Sequence, residues 1–345
     1  MRTLIVSALL AFSALPAAAG TAKPAWPAYR AFGDWVVACD NTGACEARGG
    51  SDAAEALRVS LHREAGAGAA PTLAIRGLAR RAPRALRFGG AALPLDPRDW
   101  RVDGDTLRTD RPRAVRAFVD AARRARAVDA DGATGSLEGF NAALLFLDDA
   151  QGRVGTAEAL IARGTRDGSA VPPPRRPPQV VARPWHGAQP DAEDTARYLG
   201  RLPAPLREGC AGAPGLEEMY ALDEDEVLVL LPCELYAYQT SALVLRGPRR
   251  APERAAPVRL VLDPVKGERE AASAVLNAAF DPATASLHAY SKGRGLYDCG
   301  ETHEWVYDGR EFQLVAHTRL DRCQGGEPGD FPLLWRADAV READR

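Results

Sequence analysis

Lysine is scarce in this chain: only Lys23, Lys266 and Lys292 stand among 44 basic residues. Neither charge sign is in excess, because 46 acidic residues offset them to a formal net charge of −2. A near-neutral chain has no global drive toward nucleic acid or anionic lipid, so the arginine and alanine excess reads as genome composition. Long apolar runs are missing as well. After the first twenty residues, no stretch approaches the roughly eighteen apolar residues that a membrane-spanning helix needs. No CxxC pair occurs, which argues against zinc knuckles and against a catalytic redox pair. HExxH, GxSxG and SxxK patterns and a glycine-rich phosphate loop between strand and helix are also lacking. Their absence removes the usual sequence support for metalloproteolysis, nucleophilic hydrolysis and nucleotide binding.

What is present is ordinary globular composition, with 46% apolar and 26% charged residues over 345 positions. That length corresponds to about two domains. The start, MRTLIVSALLAFSALPAAAG, reads as an address. Arg2 supplies a positive n-region, Leu4 to Leu15 an apolar h-region, and Ala17-Ala18-Ala19 a small-residue cleavage site. Residues 1–19 are therefore expected to be a signal peptide. No cysteine stands at the cleavage point, so no lipid anchor is indicated.

The six cysteines agree with export, since an even count behind a secretory signal argues for disulfides. They fall as three sequence-local pairs, which predicts Cys39–Cys45, Cys210–Cys233 and Cys299–Cys323. The first closes a loop through Asp40-Asn41-Thr42-Gly43, good turn chemistry.

Residues 29–110 read as strand-rich. Leu57, Val59 and Leu61 alternate with Arg58, Ser60 and His62, the mark of a half-buried strand. Trp35–Cys39 and Thr72–Ile75 are further candidate strands. Asp103-Gly104-Asp105 sits between two more in a hairpin pattern. Helical spacing then predicts a helix over 112–127, with Arg116, Arg123, Arg124 and Arg126 on a solvated face. Two more are predicted, over 136–149 capped by Ser136 and over 156–163. Seven prolines within 171–190 support polyproline II and mark a linker. Beyond it, Asp191 caps a short helix. Strands follow at 227–231, 242–246, 258–262, 274–280 and 286–290, then a hairpin over 304–316 turning at Asp308-Gly309.

Several of these stretches resemble the DUF1176 family, exported bacterial proteins of unassigned function. Phe32-Gly33-Asp34-Trp35-Val36-Val37-Ala38-Cys39 with Cys45 resembles the family's start. Ser136-Leu137-Glu138-Gly139-Phe140 and Gln151-Gly152-Arg153-Val154-Gly155-Thr156 resemble its middle. Gly293 to Gly300, Trp305, Asp308-Gly309, Cys323 and Leu334-Trp335-Arg336 resemble its end. The resemblance spans roughly residues 29–336. The first half also resembles the invasion-associated locus B family through its Phe-x-x-Trp-x-x-x-Cys start and its Ser-Leu-x-Gly-Phe segment, which implies a β-sandwich-like domain with attached helices. Neither resemblance supplies a catalytic residue.

Two clusters are candidates for binding. His288, His303 and His317 share the C-terminal strand region, with Glu301 and Glu304 flanking His303; such residues bind metals or act as general bases. Satisfied strand histidines are the plainer reading. Asp223-Glu224-Asp225-Glu226 offers oxygen ligands of the kind calcium takes, but without EF-hand spacing, so an acidic turn competes. Tyr236 and Tyr238 suggest an aromatic face, or half-buried tyrosines at a strand edge. The expected fold class is α+β and β-rich: two antiparallel-sheet, sandwich-like domains with a few helices, stapled by disulfides. The expected organisation is signal peptide 1–19, extension 20–28, N-terminal β-rich domain with helices 29–170, Pro-rich linker 171–190 and C-terminal β-rich domain 191–345. The expected function is that of a periplasmic or secreted, non-enzymatic binding or envelope-accessory protein. Its partner would be an envelope protein or cell-wall component, with no nucleic acid, no cofactor and no membrane span in the mature chain. The competing expectation is a periplasmic hydrolase or metal-binding protein using the C-terminal His/Glu cluster.

Overall fold

The structure is a computed structural model that describes residues 25–51, 53, 56–78, 83–210, 215–263 and 271–341. The expected signal peptide, residues 1–19, lies outside the described residues. The first half begins with β1 (Ala28–Phe32), β2 (Trp35–Cys39), β3 (Cys45–Gly49), β4 (Arg58–Arg63) and β5 (Thr72–Arg76). Next come β6 (Ala85–Phe88), β7 (Ala91–Pro94), β8 (Arg101–Asp103), β9 (Thr106–Thr109), α1 (Pro112–Ala122), β10 (Ala127–Ala130), β11 (Ala133–Ser136) and α2 (Phe140–Ala150). Seven of these strands form one antiparallel sheet in the order β1-β2-β3-β4-β5-β9-β8, and β11-β10-β6-β7 form a second.

Alternation explains the first sheet. Val59 and Leu61 of β4, Leu73 and Ile75 of β5 and Leu107 of β9 are buried on one face. There they meet Val115, Phe118 and Val119 of α1, Phe140, Leu144 and Leu147 of α2, and Leu86 and Phe88 of the second sheet. Trp35, fully buried, packs edge-on to Phe140 at 5.0 Å and donates from Nε1 to the Ser136 carbonyl at 3.1 Å. Each large side chain so buried contributes about 1.5–3 kcal/mol.

The second half contains β12 (Gln179–Ala182), α3 (Ala192–Leu199), α4 (Ala204–Glu208), β13 (Glu218–Ala221), β14 (Glu226–Leu235), β15 (Thr240–Pro248) and β16 (Ala256–Pro257). It continues with β17 (Leu260–Val261), β18 (Ala271–Ala272), β19 (Ala274–Leu276), β20 (Ala279–Asp281), β21 (Ser286–Lys292) and β22 (Gly300–Tyr307). The described residues close with β23 (Phe312–Leu320), β24 (Leu333–Arg336) and β25 (Asp338–Arg341). Two five-stranded antiparallel sheets, β13-β14-β15-β16 with β19 on β15, and β20-β21-β22-β23-β24, share a core of Leu228, Leu230, Val244, Leu287, Trp305 and Leu314. The fold class is thus β-rich α+β, with several antiparallel sheets and four α-helices among the described residues. All three predicted disulfides are present. No described helix is long and apolar enough to cross a membrane.

Three helix expectations need correction. The helix expected over 112–127 ends at Ala122, because Ala127–Ala130 is drawn into pairing with β11 and β6. The helix expected from Ser136 starts four residues later. Ser136 closes β11 and donates its hydroxyl to Asp34 at 2.5 Å, and Gly139 occupies the cap at φ +93. Residues 156–163 form turns rather than a helix. The buried Asp148 carboxylate accepts from the Leu160 and Ile161 amides, and Thr156 bridges to Arg166. Elsewhere, the strand expected over 274–280 is split by Asn277 at φ +49 into β19 and β20. Within the proline-rich stretch, Gln179–Ala182 pairs in parallel with β25.

Candidate functional site

Sheet geometry sorts the C-terminal candidates. Residues two apart on a strand share a face, and directly opposed residues of antiparallel neighbours do too. Glu301 and His303 stand two apart on β22, and His317 of β23 is the cross-strand partner of His303. These three come together, with their ligand-type atoms all within 4.8 Å of one another. His288 instead opposes Glu304, and both lie on the other face, His288 exposed. Of the five residues named from sequence, Glu301, His303 and His317 form a cluster and His288 and Glu304 do not join it.

The cluster is tightly held. The rings of His303 and His317 stack at 4.2 Å, and Trp305 also stacks with His303, at 5.4 Å. Both histidines are more than nine-tenths buried. Burial, aided by the neighbouring His317, pushes the His303 imidazole down to about 4. Glu301 is held below the usual carboxylate range, chiefly by its pairing with His317, with Arg319 adding to it against burial.

The acidic run turns between β13 and β14. Asp223 Oδ1 accepts from the amides of Asp225 and Glu226, and Glu226 lies 3.4 Å from Arg246. Among the described residues, no three-ligand grouping draws on Asp223, Glu224, Asp225 or Glu226. Tyr236 and Tyr238 are exposed rather than half-buried, and Lys292 ties Tyr238 to Tyr297 by donating to the Tyr238 carbonyl while sitting over the Tyr297 ring.

A polar cleft on the first sheet was not singled out from sequence. The face of the first sheet opposite its core carries Glu46 and Arg48 on β3, Arg58, Ser60 and His62 on β4, Ala74 and Arg76 on β5, and Arg108 on β9. In register, Arg48, Ser60, Ala74, Arg108 and Arg101 form one row across five strands. Small residues in the middle and arginines at either end leave a trough. Residues 324–336 wall it. Phe331 and Leu320 pack on Val36, Arg48 donates to the carbonyls of Gly325 and Asp330, and Arg76 pairs with the Asp330 carboxylate. Gln324 donates to the Asp34 and Gly50 carbonyls, and Arg336 pairs with Asp40 at 2.9 Å.

The resulting cleft has a volume of about 560 Å³ and is lined by six arginines and four carboxylates. Arg48, Arg76, Arg336 and Arg101 (the last on Asp110) are committed to the contacts given. The side chains of Arg58 and Arg108 make no hydrogen bond or ion pair with any described residue, and Arg58 Nε is buried without a partner. Burial pushes the Glu46 carboxyl up from the ordinary carboxylate value against the pull of Arg48, His62 and Arg76. The sequence signal for this site was the polar half of the β4 alternation.

The family described as "Protein of unknown function (DUF1176)" matches residues 29–338. The chain is also 33% identical over 326 residues to "Uncharacterized protein YpfG" of Escherichia coli (strain K12), covering 90% of this chain and 93% of that protein. No solved structure matches. With a match over nearly the whole described length, the chain belongs to the DUF1176 family.

Proposed function

We propose that this is an exported, non-catalytic binding protein of the cell envelope whose ligand seats in the arginine-lined cleft of the first sheet. Export is supported by the leader-like first twenty residues and by three disulfides, which persist in oxidising compartments. The observation that carries the binding site is the pair of uncommitted arginines over a floor of Ser60 and Ala74. Arg58 and Arg108 lie on strands separated only by β5, opposite Arg76 and Ala74, two residues apart on that strand, and both line the cleft. Guanidinium matches oxyanions in charge and in forked geometry. The ligand class is therefore an organic oxyanion, a molecule or envelope component that presents carboxylate groups.

The test is calorimetric titration of the disulfide-bonded protein with citrate and, separately, with inorganic phosphate, in low-salt buffer where charge is least screened. Citrate is expected to bind at one site. Arg58→Gln and Arg108→Gln are each expected to weaken it by about tenfold or more, the loss of one charge-assisted hydrogen bond. Phosphate binding with the same arginine dependence and no citrate binding would reassign the ligand to phosphate esters. Equal affinity in wild type and both variants would overturn the site.

A further inference from the structure

We infer that Glu301, His303 and His317 form a binding site for a divalent transition-metal ion of the zinc type. The site lies in the second half, on β22 and β23, and is independent of the arginine-lined cleft. Three observations carry it. Two buried imidazole nitrogens, His303 Nε2 and His317 Nε2, have no partner at hydrogen-bond distance; Glu301 pairs with His317 only from 3.6 Å. Buried polar atoms in native proteins are almost always partnered, so two orphans side by side mark a place made for a third group. The ligand-type atoms of all three side chains lie within 4.8 Å of one another, and His317 Nε2 is 3.6 Å from Glu301 Oε2. Bonds of about 2.0–2.2 Å to one central ion place neighbouring ligand atoms near that separation.

The third observation is the division of labour on the carboxylate. Glu301 Oε1 lies 3.2 Å from Arg319 Nε, which also binds Asp321 at 2.8 Å. One oxygen is thus anchored by an outer partner and the other is left toward the histidines, the arrangement by which outer groups orient metal ligands. The donor set selects the ion. Two imidazoles and one carboxylate suit zinc, iron, nickel or copper rather than calcium or magnesium, which take oxygen ligands. Three protein ligands leave a position open, and Glu301, about one-third exposed, stands at the solvent side.

The test uses the full disulfide-bonded chain, stripped with chelator and titrated with Zn²⁺ and with Co²⁺ as a spectroscopic probe. One equivalent of Zn²⁺ is expected to bind and raise the melting temperature, and Co²⁺ is expected to give a visible ligand-field spectrum. Glu301→Gln, a substitution at the solvent side, is expected to keep the fold and weaken Zn²⁺ by about tenfold or more. His303→Gln and His317→Gln, with folding checked by circular dichroism, are expected to lose the cobalt spectrum. His288→Gln, on the opposite face, is expected to change nothing. Wild-type affinity for Zn²⁺ weaker than about 0.1 mM would overturn the site and assign the orphan nitrogens to buried water. Unchanged binding in Glu301→Gln together with either histidine variant would overturn it by placing the metal elsewhere.

Discussion

Individual polar residues in this protein are buried for different reasons. Arg153 is fully buried yet satisfied, donating to Gln151, to Glu158 and to the carbonyls of Glu64 and Gly66. The Gln151–Thr156 motif thereby has a structural explanation, a polar knot that pins the turns after α2. Glu46 is the opposite case. Its side chain makes no hydrogen bond or ion pair with a described residue, and burial raises its carboxyl from the ordinary value although Arg48, His62 and Arg76 pull it down, with Asp330 opposing them. Because its folded pKa is raised, its contribution to stability is full below the unfolded value and is lost as pH rises through the folded one. Glu46→Gln is therefore expected to be more stable than wild type at about pH 8 and to lose that advantage toward about pH 4. Urea unfolding at the two pH values measures this; a variant less stable at the higher pH would show that attraction to the arginines outweighs burial.

At the scale of elements, the Phe32–Cys39 and Ser136–Phe140 segments meet. Asp34 donates its amide to the Glu138 carbonyl at 3.0 Å, Ser136 donates to Asp34, and Trp35 donates to Ser136. Gly139, at φ +93, lies so close to β1 that a Cβ would stand 1.8 Å from the Phe32 carbonyl oxygen. Gly132 has nearly the same φ, +91, with nothing within 4 Å of that position. Gly132→Ala is thus expected to cost only the left-handed penalty, about 1–2 kcal/mol. Gly139→Ala is expected to cost at least about 2 kcal/mol more, since backbone must move. Equal losses in chemical denaturation would mean that the β1–α2 contact yields freely. The start of α2 falls beyond Ser136 because that residue, despite good cap chemistry, is taken into a strand by pairing with β10.

Over the whole molecule, the segment after Cys323 decides how the halves share a surface. The Cys299–Cys323 bond stands at its base, where Gly325 donates to Asp298 and Arg294 donates to the Cys323 carbonyl. Chain entropy values this cross-link and Cys210–Cys233 about equally, roughly 3 kcal/mol each, because their separations of 24 and 23 residues nearly match. Their local effects are expected to differ. Replacing Cys299 and Cys323 together by alanine should speed amide hydrogen exchange across 324–336, whereas replacing Cys210 and Cys233 should leave that stretch protected. Equal protection in the two variants would show that the contacts of Arg48, Arg76 and Gln324 hold the wall without the bond.

Much of this protein was readable along the chain because the information is local. The period-two pattern of Leu57–His62 specifies a two-faced strand whatever lies beyond it. Closely spaced cysteine pairs specify their own bonds, and Asp308-Gly309 specifies its hairpin. Even the pairing of Glu301 with His303 on one face is implicit in their spacing by two. Tertiary pairing decided the rest. His317 joined that pair, and His288 left it, through cross-strand register, which one residue of slip would have reversed. The cleft depends on the meeting of β3, β4, β5 and β9 with residues 324–336, nearly three hundred positions from the first strands. Burial against those distant partners, rather than any pattern carried by neighbouring residues, determines which arginines are satisfied and which two remain open.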